Sequence, residues 1–358
     1  MNNNCIDIWK NNLEIGMKRA TILPAIAALA LGLSVQTANA QSSNKALEAL
    51  PHHLQARVQQ RQNNLLPPGV SVGQGVVSGL KAWQPNRFPI TVCFFGGSSD
   101  LRRRIMDVAL EWTKHGANIP LDFGNPSNPR ICTNQESDIK VGFNYRGYWS
   151  TIGQDSRDLV GANEQSMNFA HRDVAPASEP EFSSTVLHEF GHALAFQHEH
   201  QHPYSDCEKE FDFDKIYVEL ADHPNFWNKE KVDFNMRGLS GNGIVTTKFD
   251  RASIMLYTFA PHFYKQGVSS NCYSTANQVL SQGDKKQAAE VYPATVAAAA
   301  AARAKAVATF TTAVNTSSAS SAARLRSLQE VQVLGVPGLS EIQRAQTLQN
   351  LQAPMQLN

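Results

Sequence analysis

The run His188-Glu189-Phe190-Gly191-His192-Ala193-Leu194-Ala195-Phe196-Gln197-His198 gathers three imidazoles and one carboxylate. Residues of these types at this spacing can hold a zinc ion and activate a water on it. On a helix, His188 and His192 lie one turn apart, offset by roughly 40° about the axis and about 6 Å along it, so both rings reach one ion. Glu189 is rotated off that face by roughly 100°, beside the metal without ligating it. His198 poses a different problem. On an unbroken helix it would point roughly 80° to 120° away and sit about 9 Å beyond His192. It reaches the ion only if the helix ends near Ala195 and the chain turns back. A third ligand from a downstream carboxylate, Glu208 or Glu210, is the alternative that needs no such break. A metal-storage tract running on through His200 and His202 is the bland reading, but such tracts lack the ordered H-E-x-x-H spacing and its helical start.

That start is read at Ser178-Glu179-Pro180-Glu181, an N-cap with a capping box and an early proline. Val186, Leu187, Phe190 and Leu194 then give one apolar helical face. The spacing predicts the metal helix over about 179–195. Upstream, a strand is expected at 88–95. A helix follows over about 100–115, with Leu101, Ile105, Val108, Ala109 and Trp112 at helical spacing. Further strands are expected at 119–123 and 138–144, and an extended stretch at 159–169 as the sheet edge above a cleft. A peptide can add to such an edge through backbone hydrogen bonds. An irregular second half ends in a helix near 284–292.

With its third histidine, the zinc motif resembles that of the metzincin superfamily, H-E-x-x-H-x-x-G-x-x-H. There the glycine makes the turn at φ > 0. Ala195 stands in its place here, and alanine in that conformation costs roughly 1–2 kcal/mol. A second match, Asp250-Arg251-Ala252-Ser253-Ile254-Met255-Leu256-Tyr257, resembles the Met-turn S-x-M-H-Y of the astacin family, with Leu256 replacing the histidine. Read from the residues alone, 254–259 is rather a buried strand with Met255 and Tyr257 as core. The resemblance implies Met255 as an apolar floor under the zinc and Tyr257 as a fifth ligand that swings away to hydrogen-bond the transition state. It also implies Glu199 as the partner of a mature N-terminus. Gly147–Gly153 resembles the G-x-W-S-x-x-G segment before the family's edge strand, and Leu280–Asp284 with Tyr292 its last helix. The likeness spans about residues 80–293. It implies an α+β, zincin-like catalytic domain with a mixed twisted sheet, an active-site helix, an irregular C-terminal half and an added Ala-rich tail. It also implies a zinc endopeptidase acting on polypeptides, with His188, His192 and His198 as metal ligands and Glu189 as general base. Family pro-segments block the zinc with an aspartate. None occurs between Gln41 and Ser99, so that latency is not expected here.

The 358 residues are 42% hydrophobic with formal net charge +1, enough for one catalytic domain with extensions. Near-neutral charge argues against nucleic acid as a main partner. Lys18-Arg19, an apolar stretch to Val35 and Ala38-Asn39-Ala40 read as a secretory signal peptide, with 1–16 as an upstream extension. The expected product is a secreted or periplasmic monomer without stable membrane insertion. Four cysteines remain after the leader, Cys93, Cys132, Cys207 and Cys272, and they allow three pairings. We favour Cys93–Cys132 and Cys207–Cys272. The expected layout is leader 1–40, a weakly apolar pro-segment or linker 41–79, catalytic domain 80–293, and a helical or disordered tail 294–358. An exported binding protein on an inactive protease fold is the reading from another class, and the intact Glu189 weighs against it.

Overall fold

A computed structural model of the chain describes residues 47–70, 74–133, 137–174, 177–239 and 248–336, with a few positions beyond. The expected leader lies outside the described residues. No described helix is long and apolar enough to cross a membrane.

The sheet grows from the apolar run after Arg87. β1 (Ile90–Phe94) buries Ile90, Val92 and Phe94 completely, as a strand covered on both sides must. It lies between β2 (Leu121–Asp122) and β5 (Ile139–Gly142), and β7 (Met167–Phe169) and β6 (Tyr148–Ser150) complete the order β2-β1-β5-β7-β6. The strands run parallel except β6, which pairs antiparallel with β7 through Trp149 and Asn168. A small hairpin, β3 (Gly124–Asn125) and β4 (Asn128–Pro129), stands beside this sheet. The edge is therefore Tyr148–Ser150, which corrects the expectation for 159–169. Only Met167–Phe169 of that stretch is strand, and β6 covers its outer side. The Asn168 amide donates to the carbonyls of Tyr145 at 2.9 Å and Gly147 at 2.6 Å, which ties the approach to β6 over the strand.

α3 (Ser99–Ala109) is capped by the Ser98 hydroxyl, which accepts from Leu101 N–H at 3.1 Å. Its apolar face packs on α5 (Glu181–Ala193), and the Trp112 indole N–H just beyond it donates to the Leu187 carbonyl at 3.0 Å. α5 starts without the expected side-chain cap: Pro180 holds the N-cap position, and Ser178 offers its carbonyl rather than its hydroxyl. The short α4 (Asp155–Asp158) follows β6. The second half is irregular, with α6 (Cys207–Glu210), α7 (Phe213–Leu220) and α8 (Lys229–Met236) around Phe211, Ile216, Trp227 and Phe259. α9 (Gln282–Val291) opens with a capping box of Ser281 and Asp284. Disulfides join Cys93 to Cys132 and Cys207 to Cys272, the pairings favoured from sequence.

The segments on either side of the catalytic region pack on each other. α1 (His52–Leu65) and α2 (Gln74–Lys81) lie against α10 (Val296–Thr316) and α11 (Ser321–Leu334). The Ala-rich stretch thus packs rather than trails. Leu65 and Leu80 from one end of the chain and Phe310, Val314 and Leu334 from the other are fully buried together. Each contributes roughly 1.5–3 kcal/mol by leaving water.

Candidate active site

The site begins where α5 ends. Ala195 takes φ +71°, the turn that His198 requires. A helix end leaves four carbonyls without helical partners, and here every one of them is used. Phe196 N–H donates to Gly191 O at 3.0 Å and Ala195 N–H to His192 O at 2.8 Å. The Trp83 indole N–H reaches Ala193 O at 2.7 Å, and the Tyr292 hydroxyl reaches Leu194 O at 3.0 Å. Gly153 N–H adds a second bond to His192 O at 2.9 Å. These bonds over-determine the turn and outweigh the roughly 1–2 kcal/mol that alanine costs there. Gly153 itself is required, because a Cβ on it would come within 2.3 Å of the Lys81 carbonyl and 2.9 Å of the Ala195 Cβ.

The turn brings His198 back to the helix. His192 Nε2 and His198 Nε2 are 3.2 Å apart, and the metal-facing atoms of His188, His192, His198 and Glu48 all lie within 4.8 Å of one another. Nitrogen ligands about 2.0–2.1 Å from a tetrahedral zinc are separated by roughly 3.3 Å, so the spacing fits the ion. The donor chemistry fits as well. A carbonyl can only accept, so His188 Nδ1–H donates to Ile254 O at 2.7 Å and His192 Nδ1–H to Phe196 O at 2.8 Å. In their neutral form both rings would therefore turn an Nε2 lone pair toward a metal. Burial pushes the pKa of His198 down to about 4, which keeps it in the neutral form a metal needs. His200 stacks 5.1 Å from His198 but gives its Nε2–H to Asn235 O at 3.0 Å, so it supports the third histidine rather than joining the cluster.

Glu48 was missed in the sequence. Its Oε2 lies 3.0 Å from both His188 Nε2 and His198 Nε2, and its Oε1 3.1 Å from His192 Nε2. Burial raises its pKa, but the three imidazoles outweigh that and hold it well below the usual carboxylate range. The sequence does carry a signal: Glu48 is the sole acidic residue between Gln41 and Asp100. A search for aspartate passes over it. The alternative ligands stay away from the histidines. Glu208 accepts from Arg237 at 2.9 Å and from Gly238 N–H at 2.9 Å, and Glu210 is engaged by Ser270. The carboxylate at the histidines thus comes from upstream, not downstream.

Glu189 is buried on α5. With Tyr148, Thr185, Ile254 and Tyr257 it lines a pocket of about 300 Å³ beside the histidines. The Tyr257 ring is 5.6 Å from that of His198, and its hydroxyl accepts from Glu48 N–H at 3.1 Å. Burial raises the pKa of that hydroxyl, so it remains a donor. Met255 lies under the helix, and Gly191 makes room for it: a Cβ there would come within 2.3 Å of the methionine sulfur. Segment 253–255 is no strand. Asp284 hangs it from α9 by accepting from Ser253 Oγ at 2.6 Å and Ile254 N–H at 2.9 Å. Glu199 N–H donates to Met255 O at 2.9 Å, and the Glu199 carboxylate accepts from Asp250 N–H at 2.7 Å. Burial raises the pKa of that carboxylate to about 8.

No protein-family model matches the chain, and no curated protein matches it. Among solved structures it is similar to myroilysin, at 34% identity over 60% of this chain and 96% of that one, with TM-score 0.50. A second structure of myroilysin matches at 32% identity over 70% and 99%, with TM-score 0.44. High choriolytic enzyme 1, a hatching enzyme zinc-protease from Oryzias latipes (medaka fish), matches at 16% over 60% and 95%, with TM-score 0.39.

Proposed function

This chain belongs to the astacin-like zinc metalloproteases, and on that premise we propose that it is an exported endopeptidase with Glu189 as general base, held latent by Glu48. The convergence of three Nε2 atoms beside one buried glutamate carries the reading. His188, His192 and His198 would hold the zinc, with Met255 beneath it. When bound, the ion supplies Lewis acidity that lowers the pKa of a ligated water toward about 7. Glu189 takes the proton of the attacking water and hands it to the leaving amine. The Tyr257 hydroxyl donates to the oxyanion as it forms. Tyr148, on the edge strand β6, borders the same pocket, so a polypeptide bound along that edge would pass the site. The two disulfides suit an oxidising compartment, in keeping with the leader read from sequence. The buried carboxylate of Glu199 suits a role as partner of an ammonium group.

Glu48 and a substrate compete for one place, so turnover requires the N-terminal segment to leave. The test is casein cleavage by protein freed of that segment. A chelator should abolish it and added zinc restore it. Cleavage that persists without metal would rule out the reading.

A further inference from the structure

The N-terminal segment is held at three places, and only one of them, where Glu48 meets the histidines, is the active site. On the catalytic body, Leu54 packs with Trp149 and Val160, Arg57 pairs with Glu164 at 2.7 Å, and Arg61 reaches Asp155 at 2.7 Å and Asp158 at 3.2 Å. On the far side, the α10–α11 hairpin covers the end of α1. The Asn64 amide donates to Glu330 at 2.9 Å, and the Ser327 hydroxyl donates to the Asn64 carbonyl at 3.1 Å. Leu65 is buried against Phe310, Val314, Val331 and Leu334. Gly69, at φ +89°, lies so close to the hairpin's turn that a Cβ would come within 2.7 Å of Ser318 Oγ. The hairpin is meanwhile tied to the catalytic body through α2. Arg303 donates to the carbonyls of Leu80 and Gly79, and the next residue, Lys81, forms a buried ion pair with Asp155 at 2.6 Å.

We propose that the α10–α11 hairpin is a clamp that keeps the N-terminal segment on the enzyme after the chain is cut between α1 and α2, so that a single cut there does not open the site. The connection lost by such a cut is redundant, because the hairpin bridges α1 and α2 from outside. Activation then needs a second event that loosens the hairpin or removes the part of the segment that carries Glu48. The consequence for activity rests on the reading of Glu48 as the block; the retention itself does not.

The test is a full-length protein with a site-specific protease sequence inserted after Val70, cut to completion. The fragment ending at Val70 should co-elute with the body on gel filtration at micromolar concentration, and casein cleavage should stay at the uncut level. Asn64→Asp, which faces Glu330, and separately Leu65→Ala should each increase fragment loss at least about tenfold and raise cleavage in proportion. Both substitutions lie in the fragment, so the body that remains has its natural sequence, and a melting curve of the uncut protein confirms folding. Immediate loss of the natural fragment on cutting overturns the clamp, as does equal retention of natural and substituted fragments. Cleavage that rises while the fragment still co-elutes leaves the clamp standing and overturns Glu48 as the block.

Discussion

Two buried polar centres each receive one side chain from the same N-terminal segment. At the histidines, Glu48 meets three imidazoles whose other nitrogens or faces are already engaged by the protein. At α4, Arg61 meets Asp155 and Asp158, and Lys81 closes the group from α2. The second centre is matched cation to anion. Removing one partner strands a charge in a dry interior, which typically costs 3–5 kcal/mol. The first centre is three imidazole Nε2 atoms facing one point, which a carboxylate meets favourably only while a proton lies between them and a metal ion would meet without one. Glu48 sits where its partners accept a substitute, whereas loss of Arg61 would leave Lys81 to face two carboxylates.

Four substitutions test that contrast, in descending order of effect. Glu189→Ala should leave metal content and melting temperature nearly unchanged and lower kcat of the activated protein by about 10²–10⁴ or more. Turnover near that of the natural protein would overturn the assignment of the base. Asp155→Asn should do the reverse, destabilising the full-length chain by about 3–5 kcal/mol while leaving the histidine geometry alone, as read by denaturant melts beside zinc content. Its acid profile carries a further sign. Burial pushes the Asp155 pKa up, but Lys81 and Arg61 outweigh that and lower it. The stability it provides is therefore present above the ordinary carboxylate pKa of about 3.9 and lost as pH falls below it. The natural protein should lose more stability than the Asn variant between about pH 4 and pH 2.

Tyr257→Phe comes third. If the hydroxyl acts in the transition state, kcat and kcat/KM fall together by about 10²–10³ with KM and zinc content little changed. A lower melting temperature with normal turnover in the folded fraction would instead make it a core tyrosine, since its ring also packs 4.9 Å from Phe259. The smallest effect belongs to Ala195→Gly. With φ at +71°, glycine removes backbone strain and should raise stability or zinc affinity by up to about 1 kcal/mol. A measured loss would mean that the contact of the Ala195 Cβ with Gly153 matters more than the strain.

Much of the local structure was legible. The apolar faces around Leu101, Ile105 and Trp112 and around Val186, Phe190 and Leu194 are buried as read. The expectation of a turn at Ala195 followed from His198 alone, since no straight helix could present that ring. The helix near 284–292 has its capping box. The edge strand was misplaced because Met167–Phe169 and Tyr148–Ser150 are three residues each, too short for alternation to tell an edge from an interior position. The N-terminal and Ala-rich segments gave no sign of belonging together, because each buries only a thin apolar stripe and neither pattern names its partner.

The sequence by itself determined what is fixed by short-range periodicity: which side chains share a helical face, and that His198 can meet His188 and His192 only if the helix stops near Ala195. A pitch of about 3.6 residues leaves no freedom in those relations. Only the tertiary structure decided that Glu48, 140 residues before His188, closes the site, and that α10 and α11 cover the segment carrying it. Leucines on a helix state that something apolar must cover them, and a carboxylate that some donor must meet it. Which surface does so depends on how the whole chain is threaded, and the residues concerned do not encode that locally.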